Sequence, residues 1–199
     1  MRSDPSDWST PREPHVRQAT RGRVAAERAA HGGDRDLGPD ADPESFARTI
    51  LLQRLTEQPR SRSELETALA KRNVPGEVGA KLLDRFEELG LVDDEAFARS
   101  WVESRQRTRG LAGRALAQEL RRKGVDDELI RETVDEIDPE TERENARALV
   151  GKKLRSVRNL DRQVQVRRLA GMLARKGYSS GVAYAVIREE LDVELDPDL

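Results

Sequence analysis

From Glu44 onward, apolar residues, mostly Leu, Ala, Val and Ile, return every three or four positions, and the pattern is cut at Pro59, Pro75, Gly90, Gly110, Gly124, Pro139 and Gly177. The cuts leave pieces of roughly 12 to 18 residues, the ordinary length of globular helices, and about nine helices are predicted from this spacing. No segment alternates apolar and polar residues for long enough to predict a strand. The chain before Glu44 behaves differently. Pro5, Pro11, Pro14, Pro39, Pro43, Gly22, Gly32, Gly33 and Gly38 interrupt it, and its large aliphatic residues are few beyond Val16, Val24 and Leu37. Such a segment cannot bury enough apolar surface to offset ~1 to 2 kcal/mol per residue of ordering entropy. Residues 1–43 are therefore predicted to be a disordered tail. Within them, residues 21–30 have helix propensity, but a helix that short is marginal in water on its own.

The helical pattern repeats. Leu69-Ala-Lys-Arg-Asn-Val74, Leu120-Arg-Arg-Lys-Gly-Val125 and Leu173-Ala-Arg-Lys-Gly-Tyr178 match at offsets of 51 and 53 residues. The same offsets align Leu65, Leu116 and Leu169; Phe46, Phe97 and Val150; Ile50, Trp101 and Leu154; Val78, Leu129 and Val182; and Leu83, Val134 and Ile187. Self-similarity at this period is the mark of a stacked repeat architecture. The fold class expected is all-α, with three tandem three-helix, helix-turn-helix-like repeats over 44–92, 93–138 and 139–192, followed by an acidic tail over 193–199. In the first repeat the helices are expected over 44–56, 63–73 and 76–89.

Helix ends carry matching signals. Ser63 stands three residues before Glu66 with capping-box spacing, Asp93 and Asp94 precede the helix containing Phe97, and Ser179 and Ser180 precede the last helix. Asn73, Gly124 and Gly177 sit where a left-handed residue would stop the second helix of each repeat. A single repeat of this size has too little core to be very stable alone, so stacking into an elongated, curved rod is expected. Phe97 and Trp101 are expected in the core of the middle repeat.

Composition narrows the chemistry. There is no cysteine, which removes disulfides, thiol nucleophiles and Cys-ligated zinc and suits a reducing compartment. The only histidines are His15 and His31, both in the tail. No apolar leader or membrane-length apolar run is present. A cytoplasmic monomer with no membrane contact, no cofactor, no metal site and no catalytic residue is expected; acids abound, but no motif brings nucleophile, base and oxyanion site together.

The net charge of −2 conceals a strong segregation. Residues 99–125 carry a net +6, residues 126–144 a net −8 and residues 152–176 a net +8, and the last eleven residues hold six acids and no base. At 100° per residue, Arg168 and Arg175 fall opposite the stripe of Val166, Leu169, Ala170 and Leu173, while Arg114, Arg121 and Arg122 fall opposite Leu116 and Leu120. A basic pair also recurs in each repeat: Lys71 and Arg72, Arg122 and Lys123, Arg175 and Lys176. Cations in a last helical turn stabilise the macrodipole by about 0.3 to 1 kcal/mol, which accounts equally well for each pair taken singly. It does not account for Arg105, Arg107 and Arg109, or for Lys152, Lys153, Arg155, Arg158 and Arg168. These blocks, with Arg114, Arg121, Arg122, Lys123, Arg175 and Lys176, form the candidate surface for an anionic partner, either phosphate or an acidic protein groove. The acidic stretch 126–144 is expected to pair with a neighbouring repeat's bases or with a basic partner.

Gly90-Leu-Val-Asp-Asp-Glu-Ala-Phe-Ala98, a basic segment ending in Arg109-Gly110, and Ala117-Gln-Glu-Leu-Arg-Arg-Lys-Gly-Val-Asp126 closely resemble the RecX family of bacterial recombination regulators, a resemblance that extends over about residues 44–191. It implies three tandem three-helix repeats, a cytoplasmic location, and binding in the groove of the RecA nucleoprotein filament with inhibition of filament growth, ATPase, strand exchange and coprotease activity. Partners would then be the RecA filament and single-stranded DNA, with duplex DNA a further candidate. The residues alone leave two other classes open, a sequence-specific helix-turn-helix regulator and a helical-repeat scaffold that binds no DNA.

Overall fold

The computed structural model describes residues 42–191, all of whose regular structure is helical. The first repeat comprises α1 (Pro43–Glu57), α2 (Arg62–Ala70) and α3 (Gly76–Glu88); the second α4 (Asp94–Arg109), α5 (Gly113–Arg122) and α6 (Asp127–Asp135); the third α7 (Pro139–Val157), α8 (Arg162–Arg175) and α9 (Ser180–Leu191). The expected tail, the helix over 21–30 and the acidic segment from 193 lie outside the described residues.

Each repeat buries its own apolar stripe. Leu51, Leu65 and Leu83 anchor the first core, Leu116, Leu120 and Ile130 the second, and Leu169, Leu173 and Ile187 the third, all fully enclosed. Burying a side chain of this size contributes about 1.5 to 3 kcal/mol. The repeat register locates these residues well: Leu65, Leu116 and Leu169 are all buried at the same position of the unit.

Aspartates cap many of the helices, as short acceptors at N-caps should. Asp42 accepts from Ser45, and Asp93 accepts from Ala96 at 2.9 Å. Ser179 Oγ accepts from Val182, also as expected. The second helix differs from expectation at its start. Ser61, not Ser63, is the cap of α2 and accepts from the Glu64 amide at 3.2 Å, so the serine and glutamate with capping-box spacing are Ser61 and Glu64. The helix starts earlier because Ser61 is enclosed and Asp94, from the next repeat, accepts from the Arg62 amide at 2.8 Å. Burial raises the pKa of that Asp94 carboxyl, with the Arg62 amide opposing the shift.

The end of the second helix is built identically three times. The amides of Val74, Val125 and Tyr178 reach back to the carbonyls of Leu69, Leu120 and Leu173, each at 3.2 Å, while Asn73, Gly124 and Gly177 bond three residues back at 3.0 Å. This is the Schellman arrangement. Asn73, Gly124 and Gly177 take φ values of 58°, 74° and 90°, the left-handed conformation that the sequence signals.

Successive repeats join at this same corner. Ser61 Oγ donates to the Lys123 carbonyl at 2.5 Å, and one repeat later the Ala112 amide donates to the Lys176 carbonyl at 2.9 Å. Gly124 thereby lies on Ser63 and Gly177 on Ala115, so closely that a Cβ at Gly124 would fall 2.2 Å from Ser63 Oγ and one at Gly177 2.4 Å from the Ala115 amide nitrogen. Asn73 occupies the corresponding place in the first repeat and is exposed. Glycine is therefore demanded by the junction as well as by the turn, and only the corner without a preceding described repeat carries a side chain.

Candidate functional site

The basic blocks divide into two groups once folded. Arg105, Arg109 and Lys123 converge on Trp101 and Glu119. The Arg105 guanidinium lies 4.0 Å from the Trp101 ring centre and Lys123 Nζ lies 4.6 Å from it. Glu119 accepts from the Trp101 indole at 3.1 Å, from Arg105 at 3.0 Å and from Arg109 at 2.9 Å. Trp101 packs half-buried against the second core, its ring centre 5.7 Å from that of the enclosed Phe97, while cation–π stacking and a shared carboxylate bring charge from α4 and α5 to it.

The expectation that each basic pair stands in solvent holds for both Lys71 and Arg72 in the first repeat, and in the other two for the first member alone. Arg122 and Arg175 are exposed, but Lys123 turns to Glu64 Oε1 at 2.7 Å and Lys176 donates to the Arg109 carbonyl. Each lysine precedes the left-handed glycine that docks on the neighbouring repeat, so the junction carries its side chain inward. Arg107 pairs with Glu103 at 3.3 Å and Arg121 with Asp127 at 2.7 Å on the surface. The acids of 126–144 pair in part within their own repeat, as Glu136 does with Arg99 at 3.4 Å, whereas Glu142 turns to the Gly113 amide at the start of α5.

Arg114, Arg122, Lys152, Lys153, Arg155, Arg158, Arg168 and Arg175 are exposed and pair with no carboxylate of the described residues. Arg114, Arg122 and Arg175 line clefts at the two junctions. The first cleft, about 430 Å³, is bounded by Arg54, Arg60, Lys71, Arg72, Arg122 and Lys123, with Glu64 its one acid. The second, about 1130 Å³, is bounded by Arg114, Arg162, Arg167 and Arg175 with no acidic lining residue, and its floor includes Val166, Ala170, Ala174 and Tyr184. The two are repeat-related: Ser63 and Thr67 in the first correspond to Arg114 and Gln118 in the second, and Arg122 corresponds to Arg175. Lys152, Lys153 and Arg155 stand outside both, on the exposed side of α7, with Arg158 at its end.

Charge density along the chain overlooked Arg54, Arg60, Arg162 and Arg167 as cleft residues and made the first repeat look poor in bases. Lys71 and Arg72 were visible only as a pair. The repeat register, applied to the junctions rather than to single helices, is the signal that unites them.

Comparison with known proteins agrees with this architecture. The family model described as RecX, second three-helix domain, matches residues 93–134, and that for the third three-helix domain matches residues 140–187. A protein named regulatory protein RecX from Streptomyces coelicolor is 55% identical over 156 residues, covering 78% of this chain and 83% of its own. One of the same name from Thermobifida fusca is 50% identical over 171 residues, covering 84% and 92%. The crystal structure of RecX from Lactobacillus salivarius superposes with a TM-score of 0.72 at 21% identity, over 77% of this chain and 99% of that one, which speaks for the fold. A second, the crystal structure of a regulatory protein RecX, gives 0.68 at 27% identity over 85% and 77%. With three such repeats, these matched domains and relatives of this similarity over most of both chains, the chain belongs to the RecX family of regulatory proteins.

Proposed function

We propose that this chain is a regulator of RecA that binds the RecA nucleoprotein filament and restrains its ATPase, strand-exchange and coprotease activities, with accessory contact to DNA through the bases of the second and third repeats. The observation that carries the reading is the pair of repeat-related basic clefts at successive junctions, the second of which has four arginines and no acid. Phosphates of a nucleic-acid backbone and acidic protein surfaces both suit unpaired guanidinium groups, which bind oxyanions in a bidentate manner. The exposed bases of α7 extend the positive surface beyond the clefts. Two such clefts at successive junctions would engage an anionic track rather than one small ion. A protein acting by occupancy needs no catalytic group, and regulation without catalysis fits this surface.

The test adds the full-length chain to RecA assembled on single-stranded DNA and follows ATP hydrolysis and filament length. Both are expected to fall as the chain approaches stoichiometric amounts with the filament, and the DNA component to weaken as salt rises through loss of counterion release. Unchanged hydrolysis and filament length would overturn the reading. Tight preference for one selected duplex over random DNA would instead identify a sequence-specific regulator.

A further inference from the structure

The floors of the two junction clefts differ in chemistry. In the first, the hydroxyls of Ser63 and Thr67 and the surrounding bases leave a largely polar surface beside Glu64. In the second, Val166, Ala170, Ala174 and Tyr184 form an apolar floor, and Arg114, Arg162, Arg167 and Arg175 stand around it with no acid among the lining residues. None of these four arginines pairs with a carboxylate of the described residues.

The repeat register shows how this floor is bared. Gly171 and Ala174 of α8 occupy the places of Gln118 and Arg121 in α5, so two long polar side chains are replaced by almost nothing. Packing does not demand the glycine. Gly171 has no positive φ, and a Cβ there would meet only the Arg175 guanidinium, at an ordinary 3.5 Å. Glycine inside a helix is destabilising relative to alanine, and its use where the fold does not need it suits close approach by another backbone.

The walls suit a peptide better than a nucleic acid. Gln118 and Gln163 are exposed at the groove, and each amide can both donate and accept, as the backbone of an extended peptide requires. A single strand calls instead for aromatic faces on which successive bases stack. Of the two tyrosines that line the groove, Tyr178 is buried, which leaves Tyr184 alone for that task. From Arg162 to Arg175 a helix advances about 20 Å, room for about six extended residues at ~3.3 Å each.

We propose that the second cleft seats an extended acidic segment of a partner protein, with its aliphatic side chains on the floor and its carboxylates against the arginines. DNA phosphates are then left to bases outside the cleft, such as those of α7. This seat rests on the reading above for the cleft being a contact surface, and it names which of the two anions left open there the cleft takes.

Fluorescence anisotropy with the full-length chain and two probes provides the test. One probe is a short labelled peptide of alternating Asp and Leu, the other a labelled oligothymidylate, and the parent is expected to bind both. Ala174→Trp fills the floor without altering charge; it should weaken the peptide at least about tenfold and the oligonucleotide by less than about twofold. Arg167→Glu with Arg175→Glu should also cost the peptide at least about tenfold, with unchanged amide signals for the first two repeats showing that each variant is folded. Peptides of alternating Asn and Leu, or of Asp and Ser, should bind the parent at least about tenfold more weakly than the Asp and Leu probe. These peptides and the double reversal decide the matter even if Ala174→Trp does not fold. No binding of the Asp and Leu peptide would overturn the proposal, as would equal binding of either substituted peptide or an affinity that survives the variants. Equal losses of peptide and oligonucleotide on Ala174→Trp would make the cleft a nucleic-acid seat, which overturns it too. Neither probe involves RecA, so failure here leaves the filament reading to its own test of ATP hydrolysis.

Discussion

Gly177 and Ala115 stand so close across the second junction that a methyl group on the glycine would lie 2.7 Å from the Ala115 Cβ, as well as against the Ala115 amide nitrogen. Gly90 has a similar left-handed φ of 67°, yet open space surrounds the position its Cβ would take. Gly90→Ala should therefore show backbone strain alone, about 1 to 2 kcal/mol. Gly177→Ala adds the collision of two backbones and should lose about 2 to 4 kcal/mol, with overpacking adding to the strain. Urea unfolding of the two variants gives the comparison, and equal losses would refute a special role for the junction.

Lys123 links Glu64 of the first repeat to the Trp101 face of the second, with both carboxylate and ammonium partly shielded from water. A double-mutant cycle with Lys123→Met and Glu64→Gln should yield a coupling of about 1 kcal/mol, larger than that of an exposed surface pair. The exposed pair of Arg107 and Glu103 serves as the reference and should couple by no more than about 0.5 kcal/mol.

The two groups of bases should respond differently to reversal. Arg105→Glu removes the Trp101 stack and sets a second acid beside Glu119, so a clear fall in melting temperature is expected. Reversing Lys152, Lys153 and Arg155 together leaves the fold within about 0.5 kcal/mol, as surface changes usually do. The same triple reversal should weaken binding to a single-stranded oligonucleotide and flatten its dependence on salt, by about one unit of slope for each phosphate that is no longer neutralised. Unaltered salt dependence would exclude α7 from the DNA-binding surface.

Tyr178 is buried at the second junction, and its hydroxyl donates to the Gly110 carbonyl at 3.1 Å. Burial, aided by the Glu142 carboxylate, pushes its pKa up to about 12. An unfolded tyrosine ionises near pH ~10, so the folded chain keeps a proton that the unfolded chain has released. The stability tied to this group is complete below pH ~10 and disappears as pH rises from ~10 to ~12. Tyr178→Phe should cost about 1 kcal/mol at neutral pH through the lost hydrogen bond. Its unfolding free energy should also decline less than the parent's between pH 9 and 11, an interval that straddles the ordinary tyrosine pKa near ~10; parallel declines would contradict the assignment.

Much of the fold is legible in the sequence because helices and their ends are local. Leu65, Leu116 and Leu169 reveal the core through spacing alone, and Asn73, Gly124 and Gly177 reveal the turns through the rarity of residues that accept positive φ. The start of α2 is not legible in the same way, since Asp94 and Lys123, both distant in the chain, decide that Ser61 rather than Ser63 is the cap. Position on a helical wheel correctly exposes Arg114, Arg122, Arg168 and Arg175. The wheel treats each helix as solitary and says nothing of Lys123 and Lys176, which cap their helices and turn to a neighbouring repeat. Trp101 is read in part for a related reason: its hydrophobic bulk does pack against the core of the middle repeat, but Arg105, Lys123 and Glu119 also give its ring and indole nitrogen polar company.

Hydrogen bonds across the junctions end mostly on backbone carbonyls and amides, met by a few enclosed or half-enclosed side chains such as Ser61, Asp94 and Tyr178, and the close approach needs the bare Cα of a glycine. Side chains on the outer faces of the repeats are thus released from the task of holding neighbours in register. One repeat can become acidic while its sister becomes strongly basic, and the joint between them need not change. Divergence of the three units in charge is compatible with constancy in their assembly, so a tandem protein of this kind can acquire different surfaces for different partners without relearning how to fold.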